Sequence, residues 1–193
     1  MKKTLFSLFV LVLSLTVNAQ SVEPAPADKA VVYFLRPNTM GALINFTFYD
    51  GDELIARFNG GKYYRYECAP GIHVFWARSE NRSYVEADLA AGKIYVIEAL
   101  PVMGGLKAQV LLMPVDPNEK GLSKPAKKMV LKRPSETYTS EDLAKWADNK
   151  SDTTERGMER YAAMKEKKKN VRQLTVAMAS EPDDFVLQKK AKE

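Results

Sequence analysis

The chain has one cysteine and one histidine, Cys68 and His73, five positions apart on either side of Ala69-Pro70-Gly71. A thiol beside an imidazole is the constellation of a thiol enzyme, in which the base takes the sulfur proton and the thiolate attacks. Such a thiolate needs an electropositive, partly exposed setting, and no Ser or Cys nucleophile motif accompanies the pair. The favoured reading makes Cys68 a small hydrophobic core residue and His73 a ring hydrogen-bonded to nearby backbone after a turn. No catalytic residue and no cofactor is then assigned. One His and one Cys also rule out most His/Cys metal sites, because structural zinc wants four such ligands. Asp50, Asp52 and Glu53 lack the spaced oxygen ligands of a calcium loop, and Gly60-Gly61-Lys62 lacks the spacing of a phosphate loop. Both read as turns, and no metal site is expected.

Two further groups have binding chemistry. In Tyr63-Tyr64-Arg65-Tyr66, strand alternation puts Tyr64 and Tyr66 on one face. An exposed pair of this kind would stack on a glycan or peptide, against the plainer reading of cross-strand packing. The second group is Lys165, Lys168, Lys169 and Arg172, which helical spacing gathers near one face as contacts for an anionic membrane surface.

These side chains need a scaffold, and the text from Ala30 to Met113 is strand-like. Short β-branched and aromatic runs alternate with turn signals at Asp50-Gly51, Asn59-Gly60-Gly61, Pro70-Gly71 and Ala91-Gly92. About eight short antiparallel strands at near-regular spacing predict an all-β sandwich over residues 29–115. Prolines 114, 117, 125 and 134 then punctuate a Lys-rich stretch, expected to be linker over 116–138. Thr139-Ser140-Glu141-Asp142 is a helix start, with Leu143, Trp146 and Ala147 on one apolar face. A second helix is expected from about Thr153 to Asn170, within a basic helical tail over 139–193.

The first 19 residues have the order of a cleaved signal peptide: Lys2 and Lys3, the apolar run Leu5 to Val17, then Val17-Asn18-Ala19. Cleavage before Gln20, a short linker over 20–28 and an exported location (periplasmic, outer-membrane-associated or secreted) are the expectations. The apolar run is short for a span of ~20 residues, so no transmembrane segment is expected in the mature form. Charge is divided unevenly. Residues 20–119 carry nine Lys/Arg against twelve Asp/Glu, a balance of −3; residues 120–193 carry eighteen against twelve, a balance of +6. Export argues against nucleic acid as the partner and for envelope proteins, glycans or an anionic membrane surface.

An ordered set of elements carries a family resemblance: the strand ending in Arg36-Pro37, Asp50-Gly51, Phe58-Asn59-Gly60-Gly61-Lys62-Tyr63-Tyr64, Pro70-Gly71-Ile72-His73, Ala77, and Ala91-Gly92-Lys93-Ile94-Tyr95. Over roughly residues 28–113 it resembles a bacterial family of unknown function found in exported proteins and lipoproteins. The Pro-Gly-x-His and Ala-Gly-Lys-x-Tyr pieces are similar to surface β-modules of the PEGA kind. The resemblance implies an immunoglobulin-like or PEGA-like sandwich and no known catalytic residues. Ala19-Gln20 stands where lipid-anchored relatives carry a lipobox cysteine. The reading adopted is an exported, non-catalytic interaction or structural module. A glycan- or peptide-binding sandwich using the Tyr face is the first alternative, and a thiol enzyme using Cys68 and His73 the second.

Overall fold

The computed structural model describes residues 21–103, 108–148 and 151–187. The expected signal peptide lies outside them. The chain is mostly β, in two facing sheets. Strands β1 (Ala30–Arg36), β4 (Lys62–Cys68), β7 (Ile94–Met103) and β8 (Ala108–Pro114) form a sheet in the order β4-β1-β7-β8. Strands β2 (Phe46–Asp50), β3 (Glu53–Phe58), β5 (Gly71–Arg78), β6 (Arg82–Leu89) and β9 (Arg172–Leu174) form the other, in the order β3-β2-β5-β6-β9. Most neighbours are antiparallel, but β1 runs parallel to β7 and β6 parallel to β9.

The unbroken apolar run of β1 follows from its burial on both faces, as expected for a strand covered on each side. Ala30, Val32 and Phe34 enter the core between the sheets with Phe48, Phe58, Phe75 and Leu112. Val31, Tyr33 and Leu35 point the other way, into a second cluster with helix α1 (Lys124–Lys132), Val22 and Phe185. A third cluster covers the outer face of the five-stranded sheet. There Tyr49, Trp76 and Tyr84 pack against Leu143 and Trp146 of α2 (Ser140–Asp148) and Met158 and Tyr161 of α3 (Ser151–Glu166). Period-two strands feeding period-3.6 helices on both outer faces produce a four-layered arrangement.

Three stretches differ from the sequence-based expectation. The 116–138 stretch contains α1. Ser123 accepts the Ala126 amide hydrogen bond as its cap, Pro125 sits in the first turn, and Ala126, Met129 and Val130 form the buried stripe. A proline in that position starts a helix rather than breaking one. The second helix stops at Glu166 instead of Asn170. Lys168 takes a positive φ of 50°, while the Lys169 and Lys168 amides bond back to the Met164 and Lys165 carbonyls. This is a Schellman closure with lysine where glycine is usual. Beyond it the chain returns to the sheet as β9 and packs Phe185, fully buried, on the Tyr33 ring at 5.3 Å. The segment after α1 is therefore joined to the sandwich through all of these contacts.

Arg36 closes β1 and is fully buried. Its guanidinium lies 3.7 Å from the Phe46 ring centroid and donates to the carbonyls of Ile44 and of Gly41, the latter at 2.9 Å. One side chain thereby holds the loop from Pro37 to Asn45 upright. Burial lowers its pKa to about 10, still well above neutrality.

Candidate functional site

Asp50 ends β2, His73 opens β5, and Tyr66 and Cys68 end β4, so one end of the sandwich collects residues from both sheets. His73 Nδ1 lies 2.8 Å from Asp50 Oδ2, and Nε2 lies 2.9 Å from the Ala69 carbonyl. The Tyr66 hydroxyl donates to the same Asp50 oxygen at 3.3 Å. The His73 ring stacks on Phe75, 5.3 Å between centroids and 9° between planes.

Both partners of the imidazole are acceptors, so both contacts are satisfied together only in the imidazolium, which has two N–H groups. The Asp50 hydrogen bond accordingly raises the His73 pKa, against the opposing effect of desolvation. In that form the ring has no lone pair to take a proton from a nucleophile. Tyr66 is held protonated by burial and by the Asp50 charge.

Cys68 is buried at 7% exposure. Its Sγ lies 3.9 Å from the Ala30 carbonyl, and no described hydrogen bond joins it to His73. Burial, with the nearby Asp50 charge, pushes its pKa up to about 12. A reactive thiol is shifted the other way. Among the described residues no group of three or more His, Cys, Asp or Glu is placed to hold a metal.

Tyr64 and Tyr66 share a face as alternation requires, but that face is turned inward. Tyr66 packs on Phe34 and Phe75, and Tyr64 meets Tyr138 at 5.2 Å, edge on. Both rings are half-buried against the inter-sheet core. The plainer reading of cross-strand packing describes these rings, and the segment before α2 lays Tyr138 over Tyr64.

The four basic residues do not share a helix face. Lys165 lies in the last turn of α3 and pairs with Glu86 at 2.6 Å. Lys168 and Lys169 are exposed in the closure after the helix, and Arg172 is on β9 with Nε 3.1 Å from Met113 Sδ. Glu86 also accepts from Tyr161 and Gln173, each at 2.8 Å, and these donors hold its pKa down at about 2, the Lys165 hydrogen bond first. Glu86 thus clamps α3 and β9 to β6. Sequence reasoning missed this clamp and the Asp50–His73 pair, since both join residues far apart in the chain.

No protein-family model matches the chain, and no curated protein matches it. Among the described residues no helix is long and apolar enough to cross a membrane.

Proposed function

We propose that this protein is a non-catalytic interaction or structural module of the bacterial cell envelope, exported to the periplasm, the outer membrane or beyond. The observation that carries the reading is the commitment of the only imidazole and the only thiol. His73 spends both nitrogens on Asp50 and Ala69, and Cys68 is buried with a raised pKa. A pair so arranged holds an end of the sandwich together, and in its doubly donating form the imidazole has no lone pair to accept a proton.

The PEGA-like side of the resemblance rests on two turn motifs of the sequence. Gly71 in Pro-Gly-x-His and Gly92 in Ala-Gly-Lys-x-Tyr both take positive φ, 121° and 71°, which side chains avoid. The immunoglobulin order fits less well. There the first two strands are neighbours in one sheet, whereas β1 and β2 lie in different sheets here. Export rests on the N-terminal sequence alone.

Thiol reactivity tests the reading. Cys68 in the folded protein should react with iodoacetamide at neutral pH far more slowly than in urea. Fast alkylation of the native chain, with a rate that titrates near neutrality, would instead mark an activated thiolate and overturn it.

A further inference from the structure

The end of the sandwich opposite Asp50 and His73 has a different character. The Pro37–Asn45 loop, the β3–β4 turn, the β5–β6 turn and the start of β8 converge there. The Gly60 amide bonds to the Ala42 carbonyl at 3.1 Å, and Ser79 Oγ donates to the Ala108 carbonyl at 2.7 Å. A Cβ placed on Gly41 would touch Ala108. From this end Leu43 and Met103 project at 89% and 86% exposure, with Met40 at 52%. Solitary exposed apolar residues are ordinary, but here two are on the Pro37–Asn45 loop and the third ends β7, paired with the Ala108 that the loop touches. Arg36 ties down the loop that carries two of them through the Gly41 and Ile44 carbonyls.

Charge surrounds these tips unevenly. Beside the loop, a groove of about 350 Å³ is lined by Pro37, Thr39 and Gly61 and by Lys128, Lys132 and Arg133 of the α1 terminus. No acidic side chain lines it. Arg133 donates to the Gly61 carbonyl, which fixes α1 against the loop end. The pocket on the other flank mixes Arg57 and Arg78 with Glu80 and adds less net charge. The Lys167–Lys169 run is elsewhere. Helix α3 has Thr153 beside Arg78 at the open end, and its last turn is fixed to Glu86 further along β6.

We propose that this end docks on an anionic lipid surface, with Leu43, Met40 and Met103 entering the headgroup layer beside Lys128, Lys132 and Arg133. Aliphatic tips with a cationic flank match such a surface in both of its attractions, apolar insertion and phosphate charge. The tips are short, so attachment is shallow and sensitive to salt. A second copy of this end would bring like charges together, which disfavours self-association through it. The inference rests on the interaction-module reading and names its partner. Its failure is separable, because vesicle binding and Cys68 alkylation are independent readouts.

The test is cosedimentation of the chain from Gln20, which holds every described residue, with vesicles of phosphatidylcholine alone or with about a third phosphatidylglycerol. The parent should bind only the anionic vesicles. Leu43→Glu with Met103→Glu should lower the partition coefficient at least about tenfold. Lys128→Glu with Lys132→Glu should lower it comparably and flatten its salt dependence. Replacing Lys167, Lys168 and Lys169 by Glu should change it less than about twofold. Unchanged melting verifies that each variant is folded. No binding by the parent, parental binding by both double variants, or loss only in the Lys167–Lys169 variant overturns the proposal. A dimer in sedimentation equilibrium that Leu43→Glu with Met103→Glu dissociates also overturns it, and makes this end a self-interface.

Discussion

The two ends of the sandwich use polar residues in opposite ways. At the closed end, Asp50, His73 and Tyr66 satisfy one another across the two sheets, and the ring of His73 is covered by Phe75. Among the described residues its exposed large apolar side chains are Ile72 at 77% and, after β9, Val176 at 45%. At the open end the buried cation Arg36 has no acidic partner among its described contacts and spends its donors on the backbone of a loop. Burying an unpaired charge is expensive, so a fold that does so gains something local in return. The gain at Arg36 is a fixed loop with apolar tips facing solvent. One end is built to be inert, the other to present a surface.

Removing Arg36 should therefore have the largest effect. Arg36→Ala deletes the hydrogen bonds to Gly41 and Ile44 and the contact with Phe46, and leaves space in the core. We expect about 3 kcal/mol of destabilisation, since hydrogen bonds to a charged group each contribute about 1.5–3 kcal/mol and relief of charge burial offsets part of the loss. A urea midpoint lowered at constant m-value is the readout. Arg36→Met, which keeps the volume, should cost less. If the two variants are equally destabilised, packing volume is irrelevant and the hydrogen bonds alone hold the loop.

The closed end comes second, and pH distinguishes it. The His73 pKa is raised in the folded state, so its stabilisation is fully present below the unfolded value of about 6.5 and is lost as pH rises through the folded pKa. Stability should fall as pH climbs above about 6.5. Asp50→Asn should cost about 2 kcal/mol at pH 6, by removing the charged acceptor of two hydrogen bonds, and should flatten this slope. A profile that stays steep in Asp50→Asn would assign the titration to another group. Cys68→Ser ranks below it at about 1 kcal/mol, because the new hydroxyl can donate to the Ala30 carbonyl beside it. Alkylation of Cys68 should also remain slow at every pH where the fold persists.

Much of this architecture could be read from the residues, and the unread part has a physical cause. Strands β3 and β4 fall on the expected runs because Asp50-Gly51 and Asn59-Gly60-Gly61 bracket them with turn chemistry. The faces of β5 also follow from alternation, with His73, Phe75 and Ala77 on one side and Val74 and Trp76 on the other. What alternation cannot supply is the partner across space. Tyr64 and Tyr66 were visible as a pair, but Tyr138 comes from over 70 positions later to cover Tyr64. Lys165 was visible in a basic run, yet Glu86 claims it from β6. Gly157 in α3 is decided the same way, since a Cβ there would strike the Trp76 indole and the glycine lets the helix lie flat on the sheet.

The smallest stability effect belongs to the tips themselves, and it carries the sharpest contrast between the ends. Leu43 and Met103 lose almost no accessible surface on folding, so Leu43→Glu and Met103→Glu should each change stability by less than about 0.5 kcal/mol. Ile72→Glu, at 77% exposure on the closed end, should be as nearly neutral. The three substitutions are thus matched in exposure and differ in position. If the open end alone meets the lipid surface, Leu43→Glu and Met103→Glu weaken vesicle binding while Ile72→Glu leaves it unchanged. Equal weakening by all three would mean that any added negative charge repels the vesicle. The distinction between the ends would then dissolve into net charge, which salt titration of the three variants would expose as parallel curves.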